Sequence, residues 1–146
     1  MQIKHRIGLT LGSVLLALSP QVNAHHSMTM FDLTQCLSIT GTVRTFQYQY
    51  PHSWLWLVVR NAQGGEDIWG FESAAPANLV EKDPRWNRDV FKKGDVVTLK
   101  YAPLKDGRNG GSMSSVVLPN GVTLPVPAPI CGDGPPIPAG TPGSTR

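Results

Sequence analysis

The sequence offers one clear set of metal-ligating side chains, the histidines His25, His26 and His52. If the chain is cut after Ala24, His25 gains a free α-amine beside its own imidazole, and these two nitrogens can chelate one Cu(II) ion. His26 adds an imidazole one residue later, and the fold could bring His52 across as a further nitrogen ligand. The thioether of Met28 suits Cu(I). The pattern predicts a copper site; a polar chain end without a metal is the alternative interpretation.

The chelate depends on that cut, and residues 1–24 have the features of a cleaved secretory signal peptide. Lys4 and Arg6 form a basic head, an apolar run covers residues 7–18, and small residues precede the predicted cleavage site. The apolar run is shorter than the roughly 20 residues that span a bilayer. We therefore expect a periplasmic or secreted protein with no stable membrane insertion after cleavage, rather than one held by an uncleaved anchor.

The charge balance argues against a nucleic-acid partner. The formal net charge is +3, but Lys4 and Arg6 contribute two of these charges, which leaves +1 for the predicted mature chain. No cluster of lysine and arginine remains that could follow a phosphate backbone. The partners that remain are a metal ion, a small ligand or another protein.

Cys36 and Cys131 are the only cysteines in the chain. In an oxidising compartment two thiols usually pair, so export predicts a disulfide between them. A cysteine ligand to a metal is the alternative, which the absence of a CxxC spacing disfavours.

Residues 25–124 carry the strand signals of a single small domain. Apolar residues alternate or run continuously over residues 37–50, 53–60, 66–73, 96–102 and 113–118, and a short return strand is predicted at 122–124. The turn before that return strand is Asn120-Gly121. Pro76 predicts the first turn of a short helix between the third and fourth strands. Residues 125–146 are rich in Pro and Gly, which predicts an extended tail without a core.

Three local features refine this pattern. Ile39 and Val43 lie on one parity of the first strand and Phe46 on the other, which predicts a bulge near Arg44. The second strand is apolar on both parities, which predicts burial of both of its faces. The glycine-rich segment 105–111 predicts a flexible hairpin loop.

The order of three strands, a short helix and two or three strands predicts an all-β fold. We expect a small OB-like Greek-key β-barrel of five to six strands, with the helix between strands 3 and 4. A small open β-sandwich is the alternative architecture.

Aromatic residues suggest a second kind of site. OB barrels often bind ligands on an aromatic face, so Tyr48, Trp54 and Glu72 are candidate ligand-binding residues for a small molecule or a partner protein. The alternative is that most of the aromatic residues near them belong to the core. A non-metal binding module is therefore the second functional interpretation.

Catalysis is the least favoured interpretation. Ser53, His52 and Asp32 could be drawn as a hydrolytic triad, but no glycine pattern of a nucleophile elbow surrounds any serine. A copper-dependent oxidase would need an open coordination position and an oxidisable substrate, and the sequence indicates neither. We expect a binding protein rather than an enzyme.

Short motifs in a fixed order give the chain a family resemblance. They are His25-His26-Ser27, Met30-Phe31-Asp32, Gly41-Thr42-Val43, Pro51-His52, Trp69 with Glu72, Lys93-Gly94-Asp95, and Asp106-Gly107 with Gly110-Gly111. Over about residues 24 to 124 the chain resembles the exported bacterial domain-of-unknown-function family 6152. The resemblance implies export and a compact β-rich domain, and it supplies no activity, substrate or cofactor.

The chain departs from the pattern of that family beside the candidate site. Tyr50 stands where an asparagine usually precedes Pro51-His52, and the segment from Glu72 to Pro76 is one residue longer than usual. The two cysteines are also particular to this chain.

Overall fold

A computed structural model describes residues 28–127 of the chain. These residues form six strands and one α-helix, after a single 3-10 turn at Met28–Met30. In chain order the elements are β1 (Leu37–Gln47), β2 (Trp54–Arg60), β3 (Glu66–Glu72), α1 (Pro76–Lys82), β4 (Val96–Pro103), β5 (Gly110–Val117) and β6 (Thr123–Pro125). Within the described residues no helix is long and apolar enough to cross a membrane.

The strands close into a barrel of the predicted class. Neighbouring strands follow the order β3-β2-β1-β4-β5-β6, and β3 also pairs in parallel with β5. That last pairing closes a five-stranded barrel, with β6 added at the edge of β5. The helix α1 lies in the chain between β3 and β4. The prediction of a small OB-like all-β barrel is confirmed.

The predicted bulge in β1 is present. The pairing of β1 with β2 shifts register between Val43 and Thr45, so Arg44 is the extra residue. One extra residue moves the following side chains to the other face of a strand. Val43, before the bulge, is buried, and as a result of the bulge Phe46, which has the opposite parity, packs against the same core.

The core fills the inside of the barrel with aliphatic and aromatic side chains. Its buried members include Leu55 and Leu57 from β2, Phe71 from β3, Leu99 from β4 and Val116 from β5. Only one face of β2 is buried, since Trp54, Trp56 and Val58 on the other parity are only partly covered. The prediction that both faces of β2 are buried is therefore wrong: a closed barrel has one inner face, and the outer face meets solvent.

The connection from α1 to β4 holds the last strand in place. Trp86 is buried in this connection, and its indole nitrogen donates a hydrogen bond to the Pro125 carbonyl at 2.9 Å. Arg85 binds Asp83 at 2.6 Å and the Thr123 carbonyl at 3.3 Å. The hydrogen bonds from Arg85 lower the pKa of Asp83 to about 2. These contacts tie β6 to the body of the barrel.

The close packing of β5 against β3 and β4 depends on glycines. Gly70 pairs with Gly110, and Phe71 with Gly111. A Cβ at Gly110 would overlap the Gly70 carbonyl, and a Cβ at Gly111 would overlap the Ala102 carbonyl. Gly110 and Gly111 therefore belong to a closely packed strand, so the prediction that they lie in a flexible loop is wrong. Their lack of a side chain allows the backbones to meet.

We predict that Gly111→Ala lowers the free energy of unfolding by about 2–3 kcal/mol, because overpacked sites lose about this much. The new methyl group would also lie 2.6 Å from Cδ2 of Tyr101. Gly64→Ala is the matched control: Gly64 has a φ of 84° and open space around it, so only a backbone cost of about 1 kcal/mol is expected. Urea denaturation measures both, and equal losses would contradict the proposed role of the close approach.

Candidate functional site

His52 and Glu72 meet at one end of the barrel because the β2–β3 pairing continues beyond the two strands. The Ser53 amide donates to the Ala74 carbonyl at 3.1 Å, and the Ser73 amide donates to the Ser53 carbonyl at 2.8 Å. His52 lies directly before this extended pairing, and Glu72 is the last residue of β3. The backbone ladder thus brings together two side chains that are 20 residues apart.

The two side chains form a hydrogen-bonded pair. Nδ1 of His52 contacts Oε1 of Glu72, with 38% of the His52 side chain and 9% of the Glu72 side chain exposed. When the ring is neutral and the carboxylate charged, Nδ1–H is the donor, which selects one tautomer of the imidazole. Nε2 is then the nitrogen through which His52 would bind a metal. Metal-bound histidines commonly have such a carboxylate partner on the other ring nitrogen.

The pair lines a pocket of about 380 Å³. Its polar lining comes from His52, Glu72, Ser73, Asn78 and Ser112. Its apolar lining comes from Met28, Phe31, Pro51, Ala74, Ala75, Met113 and Val126. The pocket therefore combines one carboxylate, one imidazole and two thioethers with neutral hydrogen-bonding groups.

Two serine hydroxyls beside the pair have no hydrogen-bond partner among residues 28–127. They belong to Ser53, which is fully buried, and Ser73, which is 7% exposed and lines the pocket. An unsatisfied buried hydroxyl costs about 1–3 kcal/mol. A pocket occupant that could hydrogen-bond Ser73 would recover part of that cost.

The predicted metal ligands fall into two groups. His25 and His26 lie outside the described residues, whereas His52 lines the pocket. Met28, the first described residue, lines the same pocket. Within residues 28–127 no group of three or more His, Cys, Asp or Glu side chains could hold a metal ion. A metal site here would need further ligands from His25 and His26 or from the thioethers.

The predicted ligand-binding residues lie in three different surroundings. Glu72 pairs with His52 in the pocket already described, and the Tyr48 hydroxyl donates to the Pro76 carbonyl at 3.2 Å. Trp54 lines a second pocket of about 250 Å³. The structure does not gather the three into one pocket.

The second pocket has an aromatic wall. The rings of Trp54 and Trp56 stack with their centroids 5.8 Å apart, and Nε1 of Trp56 donates to Gln47 at 3.0 Å. Arg108 lies on the same pocket, where it also binds Asp106 at 2.7 Å. This surface offers ring faces and a guanidinium group to a ligand.

The hydrolytic triad has a structural outcome, whereas the predicted disulfide has none. The buried Ser53 hydroxyl makes no hydrogen bond to His52, so the described residues form no nucleophile–base pair there. Hydrogen bonds from Thr34 and Gln35 occupy the Asp32 carboxylate and lower its pKa. Cys36 is exposed, and because Cys131 lies outside the described residues their disulfide stays a prediction.

Sequence reasoning missed Asn78, Ser112 and Met113 as members of the site. Ser112 arrives there because it pairs with Glu72 across the β3–β5 closure. A parallel pairing between strands 40 residues apart has no local sequence signal. Only the Gly110-Gly111 motif beside Ser112 could have indicated a close backbone approach.

These features define the class of the protein as a small OB-type β-barrel with a histidine–carboxylate pocket at one end. The chain belongs to the family of unknown function DUF6152, whose pattern matches residues 14–113. This match confirms the family resemblance. No curated protein and no solved structure matched the chain.

We predict that Glu72 sets the tautomer of His52. Glu72→Ala removes the acceptor of the Nδ1–H bond, so the neutral ring should shift towards the Nε2–H tautomer. Long-range ¹H–¹⁵N NMR correlations, recorded at a pH where the ring is neutral, distinguish the two forms. Asn78→Ala is the control, since Asn78 lines the same pocket. An unchanged tautomer in Glu72→Ala would show that the carboxylate does not select it.

Proposed function

We propose that this protein is an exported, periplasmic metal-binding protein that holds copper without catalytic turnover. Its ligands would be the α-amine and imidazole of His25, the imidazole of His26 and Nε2 of His52. In this proposal the signal peptide directs export, and its removal creates the amine ligand. The protein would buffer or deliver the metal.

The observation that carries the proposal is the position of Met28. Met28 lines the pocket that contains His52 and Glu72. His25 and His26 precede Met28 in the sequence by three and two residues. This separation is short enough for the two histidines to share a metal with the pocket, since successive Cα atoms are about 3.8 Å apart. This supports a shared site for His25, His26 and His52.

The chemistry of the donors favours copper. An amine and three imidazoles form a nitrogen-rich set, which suits Cu(II) or Ni(II) better than oxygen-seeking Ca²⁺ or Mg²⁺. Glu72 would orient the His52 ring and raise the basicity of Nε2. It would also supply one negative charge beside the cation, which reduces the cost of holding a charge in a half-buried pocket.

The test is a Cu(II) titration of the mature protein purified from the periplasm, after mass spectrometry has established that it begins at His25. We expect one tight equivalent of Cu(II). Three alanines added ahead of His25 move the free amine too far from His25 and His26 to form the chelate, and affinity should fall at least tenfold. His52→Ala should also weaken binding, and Glu72→Ala should cost about 10–100-fold.

The matched control is three alanines added after Arg146, which leave the amino terminus unchanged. Affinities are compared by competition with a chelator of known strength. If the amino-terminal extension weakens binding and His52→Ala does not, the site is a terminal chelate without His52. Equal Cu(II) affinity in all variants would overturn the proposal.

The stacked tryptophans support a second candidate function, a binding module for a small ligand. The faces of Trp54 and Trp56 suit a planar ring, and Arg108 suits an anionic group. Both features line one pocket. The occupant proposed for this pocket is a small planar aromatic anion.

A panel of aromatic carboxylates tests this candidate by NMR. Binding should shift the indole N–H signals of Trp54 and Trp56, and Trp54→Ala should abolish binding. Tyr48→Phe and His52→Ala are controls, because neither residue lines the second pocket. Loss of binding in His52→Ala, or no shift with any member of the panel, would argue against this site.

A further inference from the structure

Two methionines line the same pocket as His52. Met28 lies at its exposed side, with 42% of the residue accessible, and Met113 lies in the core, with 1% accessible. Met30 instead lines the second pocket. The histidine pocket therefore contains one thioether held by the barrel and one carried by the segment that leads to the amino terminus.

The two thioethers would make the histidine pocket favour Cu(I) over Cu(II). Thioether sulfur is a soft donor that selects Cu(I), and an imidazole is compatible with the same ion. Two thioethers and one neutral imidazole add no charge to the site, so the ion would keep its single positive charge. The solvation cost of burying an ion rises with its charge, which disfavours Cu(II) at the same depth.

The charge of the surroundings also suits a monovalent cation. Among residues 28–127, Glu72 is the one carboxylate that lines the pocket, and it is hydrogen-bonded to the proposed imidazole ligand. No lysine or arginine of this part of the chain lines the pocket. One Cu(I) ion beside one buried carboxylate leaves no net charge in the pocket.

We propose that the pocket is a Cu(I) site formed by the thioethers of Met28 and Met113 and by Nε2 of His52. The inference rests on the proposed copper-binding function and adds a second ligand set to it. Cu(II) is held by the amino-terminal nitrogens with His52, and Cu(I) is held by the two sulfurs with the same histidine. Met113 is a metal ligand in this arrangement as well as a core residue.

The test compares Cu(I) and Cu(II) affinities in three matched variants of the mature protein. Met28→Leu and Met113→Leu each remove one sulfur at nearly constant volume, and Met30→Leu is the control from the second pocket. Cu(I) affinity is measured without oxygen by competition with a Cu(I)-specific chelator. We expect Met28→Leu and Met113→Leu each to lower it at least tenfold. Met30→Leu should leave it unchanged, and no variant should change Cu(II) affinity.

Copper X-ray absorption gives a second readout that a folding defect would not imitate. The Cu(I) spectrum of the unaltered protein should contain sulfur scatterers, and each of the two variants should lose part of that signal. Met28→Leu keeps the test valid if Met113→Leu disturbs the core, since Met28 is exposed.

The outcomes separate this inference from the proposed function. Normal Cu(II) binding with Cu(I) affinity unchanged in Met28→Leu and Met113→Leu overturns the Cu(I) site alone. Methionine-dependent Cu(I) binding without Cu(II) binding overturns the amino-terminal chelate and supports the Cu(I) site. Absence of binding for both ions overturns both.

Discussion

The close contact between the β3 and β5 backbones is the constraint on which the rest of this structure depends. It closes the barrel, and it is possible because Gly110 carries no side chain where the Gly70 carbonyl lies; Gly111 in the same way allows β5 to approach the Ala102 carbonyl of β4. The same contact sets Ser112 opposite Glu72. Because Met113 follows Ser112 in the chain, barrel closure also fixes one wall of the histidine pocket. Closure of the barrel and assembly of the site therefore depend on the same backbone contact.

Much of the barrel could be predicted from sequence because its signals are local. The parity change between Val43 and Phe46 indicated the bulge in β1, and Pro76 indicated the start of α1. The exposure of Trp54 and Trp56 could not be predicted in the same way. Large apolar side chains predict burial, but here the two indoles cover part of each other on the outer face. The distinction between the faces of β2 comes from the tertiary packing.

The site was predictable only where its side chains are metal-ligating groups. His52 could be proposed from sequence because imidazole binds metal ions, and Glu72 because it lies at the end of an aromatic strand, yet their hydrogen bond depends on the register of β2 and β3. The sequence does not indicate Met113 as a site residue, since a methionine in a buried strand is usually a core residue. Its place beside His52 is a property of the closed barrel, which no local pattern describes.

Phe31 lines both pockets and separates them. It is buried, it forms a bridge with Leu104, and it lines both the histidine pocket and the tryptophan pocket. A change in the size of this side chain therefore alters two cavities at once. Met28 and Met30, in the same segment, each line only one of the pockets, so evolutionary or engineered changes can alter one surface alone at those positions but not at Phe31.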